Sequence, residues 1–326
     1  MKMIKDLDIV YESGALSGIN NIPTDFPIHG LNLFTNLVGD TGAAVTPDPE
    51  SPQSIIERVE FFQDGEAIIN VDGESLAMIP YYYRKTEPIH NLITAINQDN
   101  VALGFSDAEL LFDAVGLYPE NLSMAIGGRN RNWAVRIKWL TQAALGGGYT
   151  LDSANMSVAR LPEYNYLVHN PVQKRIMTQV EPVIATSSKL RIKFPTSGLY
   201  QFILLKQEIG GLPVENIINS ISIWLGGTSY LSKDVPLAQW HSNTRYLANL
   251  PKLTTSFPTI PASINVNNFG LPLGYVMIDL TDFSGKWADL FNAYNLADFA
   301  IELDVTLQAG VNTIKSTYCV FDKLPV

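Results

Sequence analysis

Short patterns recur in this sequence at nearly one spacing and in one order. Asp64-Gly65 lies between the apolar stretches Val59–Phe62 and Ala67–Ile69, and Gly226-Gly227 lies between Ile221–Leu225 and Tyr230–Leu231. Both pairs supply the positive φ that a tight hairpin turn demands. The two turns are 162 positions apart. Pro23-Thr24, ahead of Gly30–Phe34, recurs 172 positions on as Pro195-Thr196, ahead of Leu199–Leu205. Leu111-Phe112-Asp113-Ala114-Val115-Gly116-Leu117 recurs 179 positions on as Leu290-Phe291-Asn292-Ala293-Tyr294-Asn295-Leu296. Echoes in one order at similar offsets are what two copies of one unit with different loop lengths produce.

The rest reads mostly as strands with period-two alternation and turn punctuation. Trp133–Trp139 and Phe299–Leu307 alternate cleanly, and Asn155–Leu161 and Thr313–Phe321 read as the closing strand of each half. One helix is expected per half. Ser106 and Glu109 form a capping box, with Ala108, Leu111, Phe112 and Val115 on one face of a helix over Ser106–Leu117. The second, from Ser284 or Gly285 to Leu296, places Trp287, Leu290, Phe291 and Tyr294 correspondingly. The expected fold is all-β: two tandem β-sandwiches, each with one short helix, over residues 1–165 (with an N-terminal arm) and 166–326. The join falls within Pro162–Pro182. Gly39–Gln53 and Leu250–Pro272, rich in proline, read as long loops.

Little chemistry is visible. Of the residues, 17% are charged, net charge is −10 and the pI is near 4.9. An acidic chain is poorly suited to binding phosphate backbones, and the basic cluster Arg129, Arg131, Arg136 and Lys138 alternates like one polar strand face. The single cysteine, Cys319, rules out an internal disulfide and a multi-cysteine zinc site, and reads as a small buried residue. The N-terminus lacks a signal-peptide core and no apolar run reaches membrane-span length, so the chain is expected to stay in a reducing compartment until it assembles or is released. His29, His90, His169 and His241 have no partner at metal-ligand spacing. Gly146-Gly147-Gly148 lacks the lysine of a phosphate loop and reads as a flexible strand connection. Asp72-Gly73-Glu74-Ser75 reads as a turn, and as a calcium site only secondarily. Tyr81-Tyr82-Tyr83, taken as strand, points to opposite faces and makes no flat sugar platform. No catalytic, cofactor-binding or metal-binding residue is assigned and no cofactor is expected. The residues singled out are the hairpin turns, Asp64, Gly65, Gly226 and Gly227.

The hairpin Val59–Gly65, the stretch Leu190–Leu231 and the two expected helices resemble, in layout, the double jelly-roll major capsid proteins of membrane-containing icosahedral phages. The lineage it resembles is the corticovirus/adenovirus type, and the kind of phage the resemblance points to is the flavobacterial lipid-containing single-stranded DNA phage. The resemblance spans Ile22–Phe321 and includes no motif that carries chemistry. It implies two jelly rolls and a homotrimer of pseudo-hexagonal outline that tiles an icosahedral shell over an internal membrane. It further implies contacts with neighbouring capsomers and with minor capsid or vertex proteins, and indirect contact with the membrane. Direct nucleic-acid contact and enzyme activity are not implied. The location would be the virion, after assembly in the host cytoplasm. The two long loops would form outer towers, and the Met1–Asn21 arm would lie near the inner face. Two other readings stay open: a β-sandwich carbohydrate-binding or host-attachment protein using aromatics such as Tyr149 or Tyr164, and a glycoside hydrolase with carboxylates far apart in sequence.

Overall fold

The computed structural model describes residues 3–25, 28–47, 53–84, 91–111, 132–162, 172–248, 271, 273–281 and 290–323. The described residues fall into two compact units, one up to Pro162 and one from Val172 onward. The first contains β1 (Ile4–Val10), β2 (Asn20–Ile22), β3 (Ile28–Pro47), β4 (Ile56–Gln63), β5 (Glu66–Val71), helix α1 (Gly73–Arg84), the short β6 (Asn91–Leu92), β7 (Gln98–Leu111), β8 (Trp133–Trp139) and β9 (Gly146–Pro162). The second contains β10 (Val172–Pro182), β11 (Ser187–Lys193), β12 (Leu199–Ile209), the short β13 (Leu212–Pro213), β14 (Ile218–Trp224), β15 (Tyr230–Pro236), helix α2 (Leu237–Ala248), β16 (Tyr275–Asp279), the short β17 (Phe291–Asn292), β18 (Ala300–Val305) and β19 (Asn312–Lys323).

With the short strands β6, β13 and β17 set aside, each unit has eight strands among the described residues, with one antiparallel order. In the first unit one sheet runs β1-β9-β3-β7 and the other β2-β8-β4-β5. In the second the sheets run β10-β19-β12-β16 and β11-β18-β14-β15. Numbered within the unit, both read first-eighth-third-sixth and second-seventh-fourth-fifth. That interleaving of early and late strands is the jelly-roll topology, present twice. Two of the echoes hold equivalent places, Pro-Thr ahead of the third strand and the glycine turns between the fourth and fifth; the heptapeptides start at the last residue of the sixth strand (Leu111) in one unit and beyond the sixth strand (Leu290) in the other.

Alternation fills each core. Leu31, Leu33 and Leu37 of β3 face inward with Val59 and Phe61 of β4, Val135 and Ile137 of β8, and Met156 and Val158 of β9, all 1% exposed or less. In the second unit Tyr200, Phe299, Phe194, Phe291 and Tyr318 form an aromatic cluster with ring centroids 4.8 to 6.4 Å apart. The Tyr200 hydroxyl donates to the Pro195 carbonyl at 2.6 Å, so its polar end is satisfied inside the core.

The helices are where the sequence reading errs. Among the described residues each unit has one short α-helix, and both follow the fifth strand. The expected helix over Ser106–Leu117 is strand as far as Leu111, paired with β3 from Gly30↔Leu111 to Thr41↔Gln98, and 112–117 lie outside the described residues. A long ladder that pairs backbone groups outweighs a local capping signature. In the second expected helix, Phe291–Asn292 pairs with β12 and 294–295 form a turn, while Ser284–Asp289 lie outside the described residues. The actual α1 begins at Asp72, whose Oδ1 accepts the Ser75 N–H at 2.8 Å, an N-cap on a segment read as a turn. Leu76, Ala77, Met78, Ile79 and Tyr82 are buried, so the helix packs nearly all round, and Tyr81-Tyr82-Tyr83 are helical. Gly73 is required by space: a Cβ there would lie 2.6 Å from the Gln53 carbonyl oxygen. On α2, Leu237 and His241 are buried and Trp240 is half-buried, one face at i, i+3, i+4.

The expected loop Gly39–Gln53 is also largely strand. β3 continues to Pro47 and pairs with β9 through Thr46↔Gly147 and Pro47↔Gly146; residues 48–52 lie outside the described residues. Gly146–Gly148 therefore opens β9 and is no loose connection. Gly148 has φ +85°, and a Cβ on it would lie 1.9 Å from the Ala44 carbonyl oxygen. Leu250–Gly270 of the second expected loop lies outside the described residues.

At the first hairpin Asp64 (φ 53°) and Gly65 (φ 85°) form a two-residue turn closed by Gln63↔Glu66, with positive φ at both central positions. Gly226 (φ 98°) and Gly227 (φ 56°) sit in a wider turn closed by Trp224↔Tyr230. A Cβ at Gly65 or Gly227 would meet open space, so a substitution there acts on the backbone alone. Gly65→Val and Gly227→Val are each expected to cost on the order of 1–3 kcal/mol. Thermal melts of both variants that coincide with the wild type would refute this.

Candidate assembly faces

The outward face of the β1-β9-β3-β7 sheet is built in two cross-strand rows. The register aligns Asp8, Ser157, Phe34 and Asp107 in one and Val10, Asn155, Asn36 and Phe105 in the next. Phe34 and Phe105 stack with ring centroids 5.8 Å apart and planes at 28°, yet remain 38% and 41% exposed, with Val10 at 66%. Around them the groups are polar. Asn32 Nδ2 donates to Asp107 Oδ1 at 2.5 Å, and the Ser157 hydroxyl donates to Asp8. Lys5 and the Ser157 hydroxyl hold the Asp8 carboxyl below its usual range.

The corresponding face of the second unit, on β10-β19-β12-β16, has a different character. Its rows are Ile176, Cys319, Phe202 and Asp279, then Thr178, Thr317, Leu204 and Met277, then Val180, Lys315, Lys206 and Tyr275. Phe202, Cys319, Leu204, Met277, Thr317, Lys206 and Tyr275 are each 1% exposed or less. The opposite face of the same sheet lines the core, so β12 is buried on both sides. Its run Leu199-Tyr200-Gln201-Phe202-Ile203-Leu204-Leu205 accordingly lacks the polar alternation of a half-exposed strand. The buried charge is compensated: Glu208 Oε1 lies 2.7 Å from Lys206 Nζ and 2.8 Å from Lys315 Nζ. Burial opposes ionisation of Glu208, and the two ammonium groups outweigh it and lower its pKa.

The residues read from sequence fall away from any reactive centre. Asp64 ties its turn to the residue ahead of β8, its Oδ1 accepting the Asn132 N–H at 2.9 Å. Gly226 and Gly227 lie at a hairpin tip. Arg136 pairs with Glu60 at 2.6 Å and Lys138 with Glu57 at 3.3 Å across β8 and β4, so these cations are already engaged by carboxylates. Tyr149 is buried, its hydroxyl donating to the Ile93 carbonyl at 2.8 Å and its pKa pushed up to about 12 by burial. It offers no ring face to a sugar, and Tyr164 lies outside the described residues. His241 is 3% exposed, and burial depresses its pKa to about 4. Cys319 is fully buried in β19, its thiol 3.7 Å from Gln201 Oε1 and its pKa raised to about 11 by burial. Among the described residues no group of three His, Cys, Asp or Glu side chains could hold a metal ion, and no helix is long and apolar enough to cross a membrane. Sequence reading missed both faces because alternation shows which strand side is apolar and leaves open which strands lie side by side.

No protein-family model matches the sequence, and neither does any curated protein. Solved structures do match, along essentially the whole chain. The crystal structure of the STIV (Sulfolobus Turreted Icosahedral Virus) MCP aligns with a TM-score of 0.67 over 100% of this chain and 98% of that one, at 12% identity. This chain has the double jelly-roll fold. PBCV-1 VP54, fitted into a reconstruction of the virophage Sputnik, shares the double jelly-roll at a TM-score of 0.63 over 98% of this chain and 92% of its own, at 10% identity. The major capsid protein P2 of bacteriophage PM2 shares it at 0.55 over 98% and 97%, at 12% identity.

Proposed function

We propose that this chain is a major capsid protein whose homotrimers, pseudo-hexagonal in outline, tile an icosahedral shell over an internal membrane. The observation that carries this reading is the repeated jelly-roll strand order of this chain, which aligns along nearly its whole length with the STIV MCP and the PM2 major capsid protein P2. Two units of one topology in each chain give a trimer six similar modules, and a closed ring of them can pack side by side with its neighbours. The partners are then neighbouring capsomers and minor capsid or vertex proteins, with indirect membrane contact and no direct nucleic-acid contact. The site of action is the virion, reached by assembly in the host cytoplasm. Of the two aromatics named for the carbohydrate-binding alternative, Tyr149 is buried and Tyr164 lies outside the described residues.

The direct test is size-exclusion chromatography with light scattering on the 36.0 kDa chain. A species of three chain masses, hexagonal in projection by electron microscopy, is the expected result. A monomer at every concentration and salt condition would overturn the proposal.

A further inference from the structure

We propose that β1 is a strap: it lifts off β9 as one unit, pivoting ahead of Tyr11, while the rest of the first jelly roll stays folded. Among the described residues β1 ends its sheet and is joined to it through β9 alone. The ladder has six pairs, from Ile4↔Arg160 to Val10↔Asn155, and it slips between Lys5 and Leu7. Ile9 is the one buried residue of the strand, and Lys5, Asp8 and Val10 are exposed. The first strand of the second unit is held more firmly to its eighth. β10 pairs with β19 through eleven consecutive residues, Val172↔Lys323 to Pro182↔Thr313, without a slip, and Met177 and the following Val183 reach its core. An element with few buried apolar contacts and solvent-exposed backbone bonds opens locally, at a free energy below that of global unfolding.

The anchor and the latch are both visible. The anchor begins at Tyr11, whose ring meets the buried Trp139 edge-on at 5.6 Å and whose N–H donates to the Ala154 carbonyl at 2.9 Å. From there the chain is pinned to the other sheet. The Trp139 N–H donates to the Ala15 carbonyl at 3.0 Å, the Ser17 N–H donates to the Ile137 carbonyl at 2.8 Å, and β2 pairs with β8. The part free to lift is therefore Ile4–Val10. The slip at Asp6 is a bulge, and a bulge re-aims a side chain. Asp6 directs its carboxylate to Arg160, 2.7 Å from Nε, so a charge-assisted bond stands where a ladder pair is missing. The Ser157 hydroxyl, donating to Asp8, closes the middle of the strand. Water replaces polar bonds of this kind when they break, so opening gives up little apolar burial beyond Ile9 and part of Ile4 and Leu7. It bares the backbone edge of β9 from Asn155 to Arg160.

The test is hydrogen exchange of the intact chain at low urea concentrations, read by mass spectrometry with residue-level fragmentation. It compares wild type with an Asp8→Cys/Ser157→Cys variant. Asp8 and Ser157 lie opposite each other in the ladder, within the span a disulfide bridges, so the oxidised variant has its strap stapled to β9. In wild type the β1 amides bonded to β9 are expected to exchange about a hundredfold faster than those of Leu31–Leu37 in β3, and with little dependence on urea, as local opening does. Oxidation of the variant should slow β1 to the rate of β3, and a reductant should restore the fast exchange. A β1 that exchanges together with β3, at one rate and with one urea dependence, overturns the strap. So does a β1 that stays fast in the oxidised variant. Should the cysteines not join, trypsin cleavage after Lys5 replaces them. A rate unaffected by low urea supports the strap, and a rate that rises with global unfolding overturns it.

Discussion

Arg160→Met is expected to destabilise the first jelly roll by about 3–5 kcal/mol, the typical cost of removing one partner from a buried ion pair. Arg160, near the end of β9, is 4% exposed. Its Nε lies 2.7 Å from Asp6 Oδ2, its Nη1 donates to the Pro23 carbonyl at 3.0 Å, and it also pairs with Asp25. One guanidinium thereby ties β1 and the segment entering β3 to β9. Methionine preserves much of the apolar stem and removes every donor. The Asp6 carboxylate, itself only 5% exposed, is then left buried without its cation, and that residual charge is the main source of the cost. Asp25 is 63% exposed and returns to water at little cost. Asp6→Asn in the Arg160→Met background should recover much of the loss, because a neutral amide carries no buried charge. Calorimetry of the single and double variants checks both statements. A melt of Arg160→Met that matches wild type would show that the network contributes nothing.

The second large effect is a loss of stability in acid centred on His241. The ring is held neutral in the folded protein, its pKa lowered by burial from 6.5 to about 4. The unfolded chain binds a proton near pH 6.5 that the native state refuses until about pH 4. The neutral native form therefore contributes its full stability above pH 6.5, and that contribution falls as the pH drops through the interval. At 1.36 kcal/mol per pKa unit the loss reaches about 3 kcal/mol at pH 4. Glu215 Oε1, 3.6 Å from Nε2, favours the cation and makes this an upper figure. His241→Gln removes the titration, so its stability relative to wild type should rise between pH 7 and pH 4.5 by urea denaturation. Parallel curves for the two proteins would refute the assignment.

The repeat was legible because it is written in residues with few conformational alternatives. Asp64-Gly65 and Gly226-Gly227 take positive φ, and proline limits the segments that enter the third strands. Such local demands survive where the rest of a duplicated sequence has drifted. The helices were misplaced because their signals are weak and ambiguous. Ser106 and Glu109 mimic a capping box, yet the apolar residues around them serve β7 equally well, and only the presence of β3 alongside decides. α1 conceals itself behind Asp72-Gly73 at its start and Pro80 inside it, residues that usually mark turns. The outward faces of the two sheets were illegible for another reason. Phe34 in β3 sits among Asn32, Thr35 and Asn36 and Phe202 in β12 among Ile203, Leu204 and Leu205, but neither pattern says which strands lie alongside.

Cys319 gives the chain a chemical indifference to its surroundings. Thiols react as thiolates, and an ordinary cysteine ionises near pH 8.5. With no exposed surface and a pKa near 11, the only sulfhydryl of the sequence keeps its proton at neutral pH and stays beyond the reach of dissolved oxidants. A thiol held this way offers no nucleophile for mispairing or crosslinking, whether the surroundings are reducing or aerated.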